Sequence, residues 1–289
     1  MKKIYALSII LAGIFWGTIG VFAKVLTQFG FNSFQNSTIR LVGAAIMLFI
    51  INRNHLKIKA KDLWMFALLG TASLFSMSFV YFQAIKYTSL SLAAILLYTA
   101  PIMVTIMACV FYHEKISILK ISALVFAFLG IVLISGFDKT TNVTTVGIIY
   151  GLFSALSYSL YSIIGKFILK KYSTKTTITY AFIFAGIVSL FVCDFDSFSK
   201  VIVSCDSKLL LILTMIGMGA FSAAIPYTLY TIGLNHIPAG KASILACVEP
   251  LTATLVGVMF FNEKLGVISV IGIIFILCAV TALSFSKKN

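Results

Sequence analysis

Ten apolar runs, each about 20 residues long, nearly fill this chain of 289 residues. A run of this length can cross a bilayer as an α-helix, because a helix satisfies its backbone polar groups within one segment. Only 10% of the residues are charged and the mean hydropathy is +1.08, values that favour membrane helices over a soluble core. The sequence therefore predicts an all-α integral membrane protein with no separate soluble domain. The ten predicted transmembrane helices are 4–27, 34–52, 63–85, 90–112, 117–136, 144–166, 176–193, 208–233, 240–261 and 266–285.

The basic residues predict the orientation of these helices. The formal net charge is +14, but the 22 Lys and Arg residues are scattered over short loops, which argues against a nucleic-acid partner. If the N-terminus is cytoplasmic, fifteen of the 22 lie at inner ends of the spans and seven at outer ends. By the positive-inside rule, we expect a multi-pass protein of the cytoplasmic membrane with both termini in the cytoplasm.

The second half of the chain repeats part of the first. When 81–115 is placed over 230–264, an offset of 149 residues without gaps, nine of 35 positions are identical. Apolar matches carry little weight in membrane helices, whereas a mid-span proline and a terminal Glu-Lys pair in one register carry more. These pairs are Pro101 with Pro250, Glu114 with Glu263, and Lys115 with Lys264.

A weaker match places Trp16 and Lys24 over Tyr158 and Lys166. The sequence thus predicts two repeats of five helices, 1–139 and 140–289. Because five is odd, the second repeat must enter the membrane in the opposite orientation. Inverted repeats are typical of secondary transporters, whose substrate sites lie near the membrane midplane between the halves, often at broken helices.

These features resemble the EamA-type transporters of the drug/metabolite transporter superfamily. The resemblance covers essentially the whole chain. It rests on ten short spans in two halves, the segments around Pro101 and Pro250, the two span-ending Glu-Lys pairs, and Arg40 early in the second span. It implies a central cavity flanked by spans one to four and six to nine, with spans five and ten at the periphery. It implies no particular substrate, because members carry amino acids, other metabolites, cofactors, sugars and drugs.

Glu249 is the only acidic residue deep inside a predicted span, directly before Pro250. A carboxylate at this depth costs roughly 2.5 to 3.5 kcal/mol to insert, so we expect it to face a polar cavity. Two interpretations stay open: a protonatable group that binds an ammonium-bearing substrate or couples transport to protons, or a carboxyl that hydrogen-bonds neighbouring helices. Pro250 removes one helix hydrogen bond and is expected to leave the carbonyl of Ala246 without its partner.

Aromatic residues within the spans are candidates for substrate binding, with anchoring at the membrane interface as the alternative. Trp16 and Tyr158 occupy corresponding mid-span positions, and Tyr98 lies one turn before Pro101. Together with Glu249, the candidate substrate-binding residues are Trp16, Tyr81, Tyr98, Tyr158, Tyr227 and Tyr230.

Prolines and charged residues near the span ends form two further groups of candidates. Pro101, Pro226 and Pro250 are predicted to be hinges or helix breaks, with static kinks as the alternative. Arg40 suits a substrate carboxylate or snorkels to lipid headgroups. The candidate charged anchors or gates are Arg40, Glu114, Lys115, Glu263 and Lys264.

Nothing in the sequence indicates an enzyme, a metal site or a cofactor. The five cysteines lack metal-binding spacing, and we expect free thiols, although Cys193 and Cys205 both lie on the predicted outer side. There is no GxxxxGK[ST] loop, and the spans hold no Ser/His pair, aspartate pair or HExxH site.

The sequence therefore predicts an alternating-access secondary transporter, most simply an exporter of amino acids or related metabolites, with protons as a candidate coupling ion. The alternative is an uptake permease or exchanger of another small metabolite, such as a nucleobase, vitamin, sugar or drug-like cation. The expected partners are the solute and membrane lipids. Monomer and homodimer both stay open.

Overall fold

The computed structural model describes residues 2–135, 144–261 and 266–285, and all regular structure within these residues is helical. It contains ten helices long and apolar enough to span a membrane, which confirms the predicted all-α membrane fold. Large apolar side chains cover the outside of the bundle, where lipid would contact them. The ten described spans are Lys3–Gln28, Ser33–His55, Ala60–Tyr87, Leu90–Tyr112, Ile118–Ser135, Thr145–Leu169, Thr174–Phe191, Lys208–His236, Ala239–Phe261 and Val267–Ser284.

Five spans are single α-helices along most of their length. They are α3 (Ser33–Asn52), α8 (Ile118–Ser135), α9 (Thr145–Leu169), α10 (Thr174–Phe191) and α16 (Val267–Phe285), which form spans two, five, six, seven and ten. The sequence predicted all five to within a few residues. Their caps explain some of the boundaries, because Asn32, Thr144 and Ser173 each accept a hydrogen bond from a backbone N–H in the first turn.

The other five spans are interrupted. Span one divides at Thr18 into α1 (Lys2–Gly17) and α2 (Ile19–Gln28), and spans three and eight contain π-helical segments, Leu69–Phe75 and Ala220–Ala224. The remaining segments of the interrupted spans are α4 (Leu63–Leu68), α5 (Ser76–Tyr87), α6 (Leu90–Leu97), α7 (Ala100–Tyr112), α12 (Lys208–Gly219), α13 (Ile225–His236), α14 (Ala239–Leu245) and α15 (Val248–Phe261).

Prolines lie in the first turn after three of these interruptions. Pro101 is the second residue of α7, Pro226 is the second residue of α13 after the π-helical segment, and Pro250 is the third residue of α15. The expectation that the carbonyl of Ala246 lacks a partner is wrong, because it accepts a hydrogen bond from the N–H of Glu249 at 3.0 Å. The chain tightens into an i→i+3 turn at the break, and this turn satisfies the carbonyl that proline would leave open.

Corresponding spans in the two halves of the chain make corresponding contacts. Span one packs on spans eight and nine, just as span six packs on spans three and four. Span two packs on span seven, and span five on span ten; spans five and ten are the least buried of the ten described spans. Two related halves would produce this pattern, while the opposite membrane orientation of the halves stays a prediction.

The connection 194–207, predicted to be a loop, instead contains helix α11 (Phe195–Ser204). Asp194 caps this helix by accepting a hydrogen bond from the N–H of Ser197 at 3.1 Å. Its inner face packs Phe198 and Val201 against a small apolar cluster around Phe31. The prediction failed because a ten-residue amphipathic helix is too short and too polar to register as an apolar run.

Candidate functional site

A central cavity of about 630 Å³ lies between the two halves. It extends from Glu249, at the start of α15, to exposed residues at the ends of α2, α3 and α6, including Thr27, Ser33 and Leu90. The cavity therefore opens at one end of the bundle, which we call the open end. Its polar and aromatic lining residues include Trp16, Asn36, Ser37, Arg40, Tyr81, Tyr98, Tyr158, Tyr227, Glu249 and Thr254.

Aromatic rings form the deepest part of this cavity. Trp16 packs edge-on against Tyr227 and Tyr158, with ring centroids 4.9 Å and 6.4 Å apart. Tyr227 in turn packs edge-on against Tyr161 at 4.9 Å. Such edge-to-face contacts fix the rings in a defined geometry and leave an apolar surface with polar edges toward a bound solute.

Two side chains of opposite charge face the cavity. Glu249 is only half-buried although Val248 and Pro250 beside it are buried, because its side chain points into the cavity. Tyr98 and Arg40 line the same cavity as Glu249. The guanidinium of Arg40 lies near Tyr227, with Nη2 at 3.5 Å from the hydroxyl oxygen. The cavity thus offers an acceptor and a planar donor from two different spans.

Several polar atoms in the cavity wall are buried without a hydrogen-bond partner. Trp16 Nε1 and Arg40 Nε are donors of this kind, and Asn36 Oδ1 is an acceptor. The amide nitrogen of Asn36 donates to Thr27 Oγ1 at 3.2 Å, which holds the side chain in place. Because buried polar groups are nearly always paired, three unpaired atoms around one cavity make this part of the wall a candidate site for a polar ligand.

The opposite end, which we call the closed end, is sealed by a charge cluster around Glu114. Its carboxylate accepts hydrogen bonds from Lys120 Nζ at 3.1 Å and Lys166 Nζ at 3.3 Å. It also accepts from the N–H groups of Ala239 at 2.6 Å and Gly240 at 3.3 Å, at the first turn of α14. One carboxylate therefore joins the end of α7 to α8, α9 and α14.

The electrostatics of this cluster keep Glu114 ionised. Burial alone would raise the pKa of Glu114, but the charge of Lys166, the N–H of Ala239 and the charge of Lys120 together lower that pKa below its ordinary value. Lys166 Nζ also donates to the carbonyl of Ile237 at 2.8 Å, which ties α9 to the residue before Pro238. The cluster is thus a hydrogen-bonded ionic contact across four helices.

Buried aromatic residues fill the space between the cluster and the cavity. Tyr230 and Tyr161 are 2% and 4% exposed, and their hydroxyls bond to Ser162 at 2.7 Å and Thr231 at 2.8 Å. Cys247, at the break between α14 and α15, is also buried there. These buried side chains and the charge cluster lie between the cavity and the closed end.

The structure brings most of the predicted site residues together. Trp16, Tyr81, Tyr98, Tyr158, Tyr227 and Glu249 all line the cavity, as do Arg40 and Pro250. Tyr230 lies beneath the cavity rather than in its wall, and Pro101 lines a small void under Tyr98.

The predicted charged anchors separate into different places. Glu114 lies in the charge cluster and its neighbour Lys115 is exposed. Glu263 and Lys264 lie outside the described residues. Cys193 and Cys205 are free thiols, and the described residues contain no group of side chains that could hold a metal ion.

Sequence reasoning missed Asn36 and Lys120. Asn36 lies four residues before Arg40 and so shares its face of α3, a polar pair inside an apolar span that could have been noticed. Lys120 lies just inside the predicted fifth span, where a lysine normally extends to the interface. Its role is visible only when Glu114 and α14 are brought beside it.

Comparison with known proteins gives consistent matches over the whole chain. The model of the EamA-like transporter family matches residues 3–136 and 145–285. A protein of Clostridium kluyveri described as an uncharacterized transporter is 30% identical over 96% of this chain and 91% of its own length. The uncharacterized transporter YwfM of Bacillus subtilis is 23% identical over 99% of this chain and 96% of its own.

One solved crystal structure has a TM-score of 0.79 to this chain at 15% sequence identity. It covers 96% of this chain and 95% of its own. At this level of identity the likeness shows a shared fold.

Proposed function

Because this chain belongs to the EamA-like transporter family, we propose that it moves one small organic solute across the membrane by alternating access. The observation that supports this most directly is the cavity itself, which reaches solvent at the open end and is sealed by packed aromatic residues and ions at the other. A channel would need a continuous path. A carrier needs this conformation and a second one that is open at the other end, so that the site is exposed to each side of the membrane in turn.

We propose that the closed end faces the cytoplasm. The excess of Lys and Arg at the predicted inner ends supports this orientation, and Glu114, Lys120 and Lys166 all lie at that end. The conformation described here is then outward-open, with both termini in the cytoplasm.

Conversion to an inward-open state requires α14 to part from α7 and α9. The breaks at Tyr98–Thr99 and at Ala246–Cys247 place short helices, α6 and α14, next to longer ones that continue the same spans. Bending at these breaks would open one end while closing the other, with Pro101 and Pro250 as hinges. The charge cluster at Glu114 would act as the inner gate.

The proposed solutes are amino acids or related metabolites, moved outward, with the uptake or exchange of another small metabolite as the alternative. Glu249 supports a solute with a positively charged group, and the aromatic wall supports an apolar one. We propose further that Glu249 exchanges protons during the cycle, because it is the carboxyl that lies in the cavity.

The test is counterflow in proteoliposomes that contain the purified protein. Liposomes loaded with whole-cell metabolite extract are mixed with a labelled amino-acid pool, and saturable exchange is measured from about pH 5 to pH 8. We expect the wild type to exchange amino acids, and Glu249→Gln to lose the pH dependence together with most of the rate.

Asp196→Asn is the matched control, because Asp196 is an exposed carboxylate on α11 away from the cavity. It should behave as the wild type does. If Glu249→Gln keeps both the wild-type rate and its pH dependence, the carboxyl is structural and the proposed coupling is wrong. Exchange of a different solute class would retain the carrier and replace the substrate.

A further inference from the structure

We propose that Arg40 and Glu249 bind opposite ends of one zwitterionic solute, with its carboxylate at Arg40 and its ammonium at Glu249. The inference rests on the proposed function and deepens it, because it assigns the two charges of the solute to two residues. It identifies the class of solute as an apolar α-amino acid.

The first step is that Arg40 is held inside the cavity instead of extending to lipid headgroups. Its contact with protein is weak, since Nη2 lies 3.5 Å from the Tyr227 hydroxyl oxygen and the guanidinium carbon lies 5.9 Å from the centre of that ring. Nε is buried and unpaired. A guanidinium with unused in-plane donors matches the two oxygens of a carboxylate.

The second step is that Arg40 and Glu249 line the same cavity, yet they form no ion pair among the described residues. Two opposite charges placed in an apolar wall for structural reasons would be expected to pair directly, because each is costly when unpaired. A gap between them leaves room for a molecule that carries both complementary charges.

The third step concerns the unpaired polar atoms in the cavity wall. Trp16 Nε1 is an unpaired donor and Asn36 Oδ1 is an unpaired acceptor, and both side chains are more than nine-tenths buried. A solute that brings only an acceptor, or only a donor, leaves one of them unpaired. A zwitterion brings both, and its side chain can rest on the rings of Trp16, Tyr98 and Tyr158.

The test uses four probes of one shape and different charge: L-phenylalanine, L-phenylalaninamide, 3-phenylpropionate and 2-phenylethylamine. Binding is read from the fluorescence of Trp16 in a Trp64→Phe background, because Trp64 is 62% exposed at the surface and is the only other tryptophan. In this background we expect phenylalanine to bind more tightly than the three singly charged probes.

Substitution at each charge should then weaken only the probes that carry its partner. Arg40→Gln should weaken phenylalanine and 3-phenylpropionate about tenfold or more, and leave phenylalaninamide within about twofold. Glu249→Gln should weaken phenylalanine and phenylalaninamide and leave 3-phenylpropionate unchanged. Arg40→Lys keeps the charge and loses the planar guanidinium donors, so its affinity for phenylalanine and 3-phenylpropionate should lie between those of the wild type and Arg40→Gln.

The unaffected probe reports in each case that the variant is folded. Equal loss of all four probes in Arg40→Gln, equal binding of all four by the wild type, or binding of none would each overturn the inference. The carrier itself is judged separately, by counterflow with whole-cell extract. Exchange of some other solute there would leave the proposed function standing while this assignment of charges fails.

Discussion

The two ends of the central cavity carry related sequence but make different contacts. At the closed end, Lys166 is bound to Glu114. At the open end, Lys24, which matches Lys166 in the repeat, lies over the ring of Phe261 with Nζ 3.7 Å from its centre. The first lysine takes part in an ionic contact between helices. Among the described residues the second makes a cation–π contact, and Glu263, which matches Glu114 in the repeat, lies outside them. At the closed end one carboxylate, that of Glu114, accepts hydrogen bonds from two lysines and two backbone N–H groups, so we expect this end to depend on Glu114.

A contact of this kind suits a gate better than apolar packing does. Removing one partner from a buried ion pair is costly, whereas the complete pair adds little over apolar residues of the same volume. The complete cluster is therefore expected to add little to the free energy of unfolding, whereas the removal of one of its partners is expected to lower that free energy strongly. The following predictions use this sensitivity to the loss of one partner to distinguish the closed end from the open end.

The largest effect is expected from Glu114→Gln. The substitution leaves Lys120 and Lys166, whose side chains are 8% and 21% exposed, without a counter-charge, and weakens the anchorage of α14. Cys247 lies buried at the next break in span nine. With Cys247 as the sole cysteine, we expect maleimide to label it at least about tenfold faster from the cytoplasmic side of inside-out vesicles, equivalent to about 1.4 kcal/mol.

Lys115→Gln is the matched control for this experiment. Lys115 is the adjacent residue and carries a full charge, but it is exposed and lies outside the cluster. Labelling of Cys247 should be unchanged in this variant. If Glu114→Gln labels no faster than Lys115→Gln does, the aromatic layer alone closes this end.

The second prediction concerns the pH range of the same contact. Because the cluster lowers the pKa of Glu114, its contribution to stability is complete above the ordinary carboxyl pKa and is lost as pH falls through the lowered value. We therefore expect the difference in apparent Tm between wild type and Glu114→Gln to be constant from about pH 8 to pH 5, and to shrink below about pH 4.5. A difference that vanished near pH 6 would contradict an ionised Glu114.

The closed end also shows where prediction from sequence stops. The apolar runs predict all ten described spans, because length and hydropathy alone decide which segments cross a bilayer. The repeated prolines Pro101 and Pro250 identify two of the five interrupted spans, four and nine, and the depth of Glu249 indicates a cavity. These features are local in the chain.

Contacts between residues that are distant in the chain cannot be predicted from the sequence around either residue. Glu114 contacts α14 at a sequence separation of 125 residues, and no feature of the sequence around Glu114 predicts that contact. The interruption at Thr18 and the π-helical segment of span three were not predicted, for a similar reason, and Pro226 predicted a break in span eight without its π-helical form. Neither of the two unpredicted segments contains a proline, and their glycine and threonine residues also occur in the uninterrupted span six, so packing against neighbouring spans has to determine these interruptions.

The third prediction places one methyl group at each end. In Gly240→Ala, the new Cβ would lie 2.6 Å from Lys120 Nζ and 3.1 Å from Thr105 Oγ1, and would push the lysine away from Glu114. We expect an apparent Tm lowered by about 2–8 °C, as for overpacking that costs roughly 1–3 kcal/mol. Gly20→Ala is the comparison at the open end.

A Cβ at Gly20 would meet no atom within 4 Å. Its apparent Tm should be unchanged or slightly raised, since alanine favours the helix. If both variants unfold at the wild-type temperature, Lys120 moves aside without cost. The cluster would then have to be regarded as loosely packed.

The smallest effect is expected at an ion pair on the same side of the membrane that lies near the surface. Lys171 pairs with Asp62, and its pKa is raised by this hydrogen bond, but its side chain is 46% exposed. Water and salt screen the exposed Lys171. Asp62, whose side chain is 9% exposed, keeps the hydrogen bond from the Tyr172 hydroxyl when the lysine is removed. We expect Lys171→Gln to shift the apparent Tm by about 1 °C or less and to leave the labelling of Cys247 unchanged. A large effect would mean that exposure is not what separates the two ion pairs, and that Asp62 and Lys171 also help to hold the closed end.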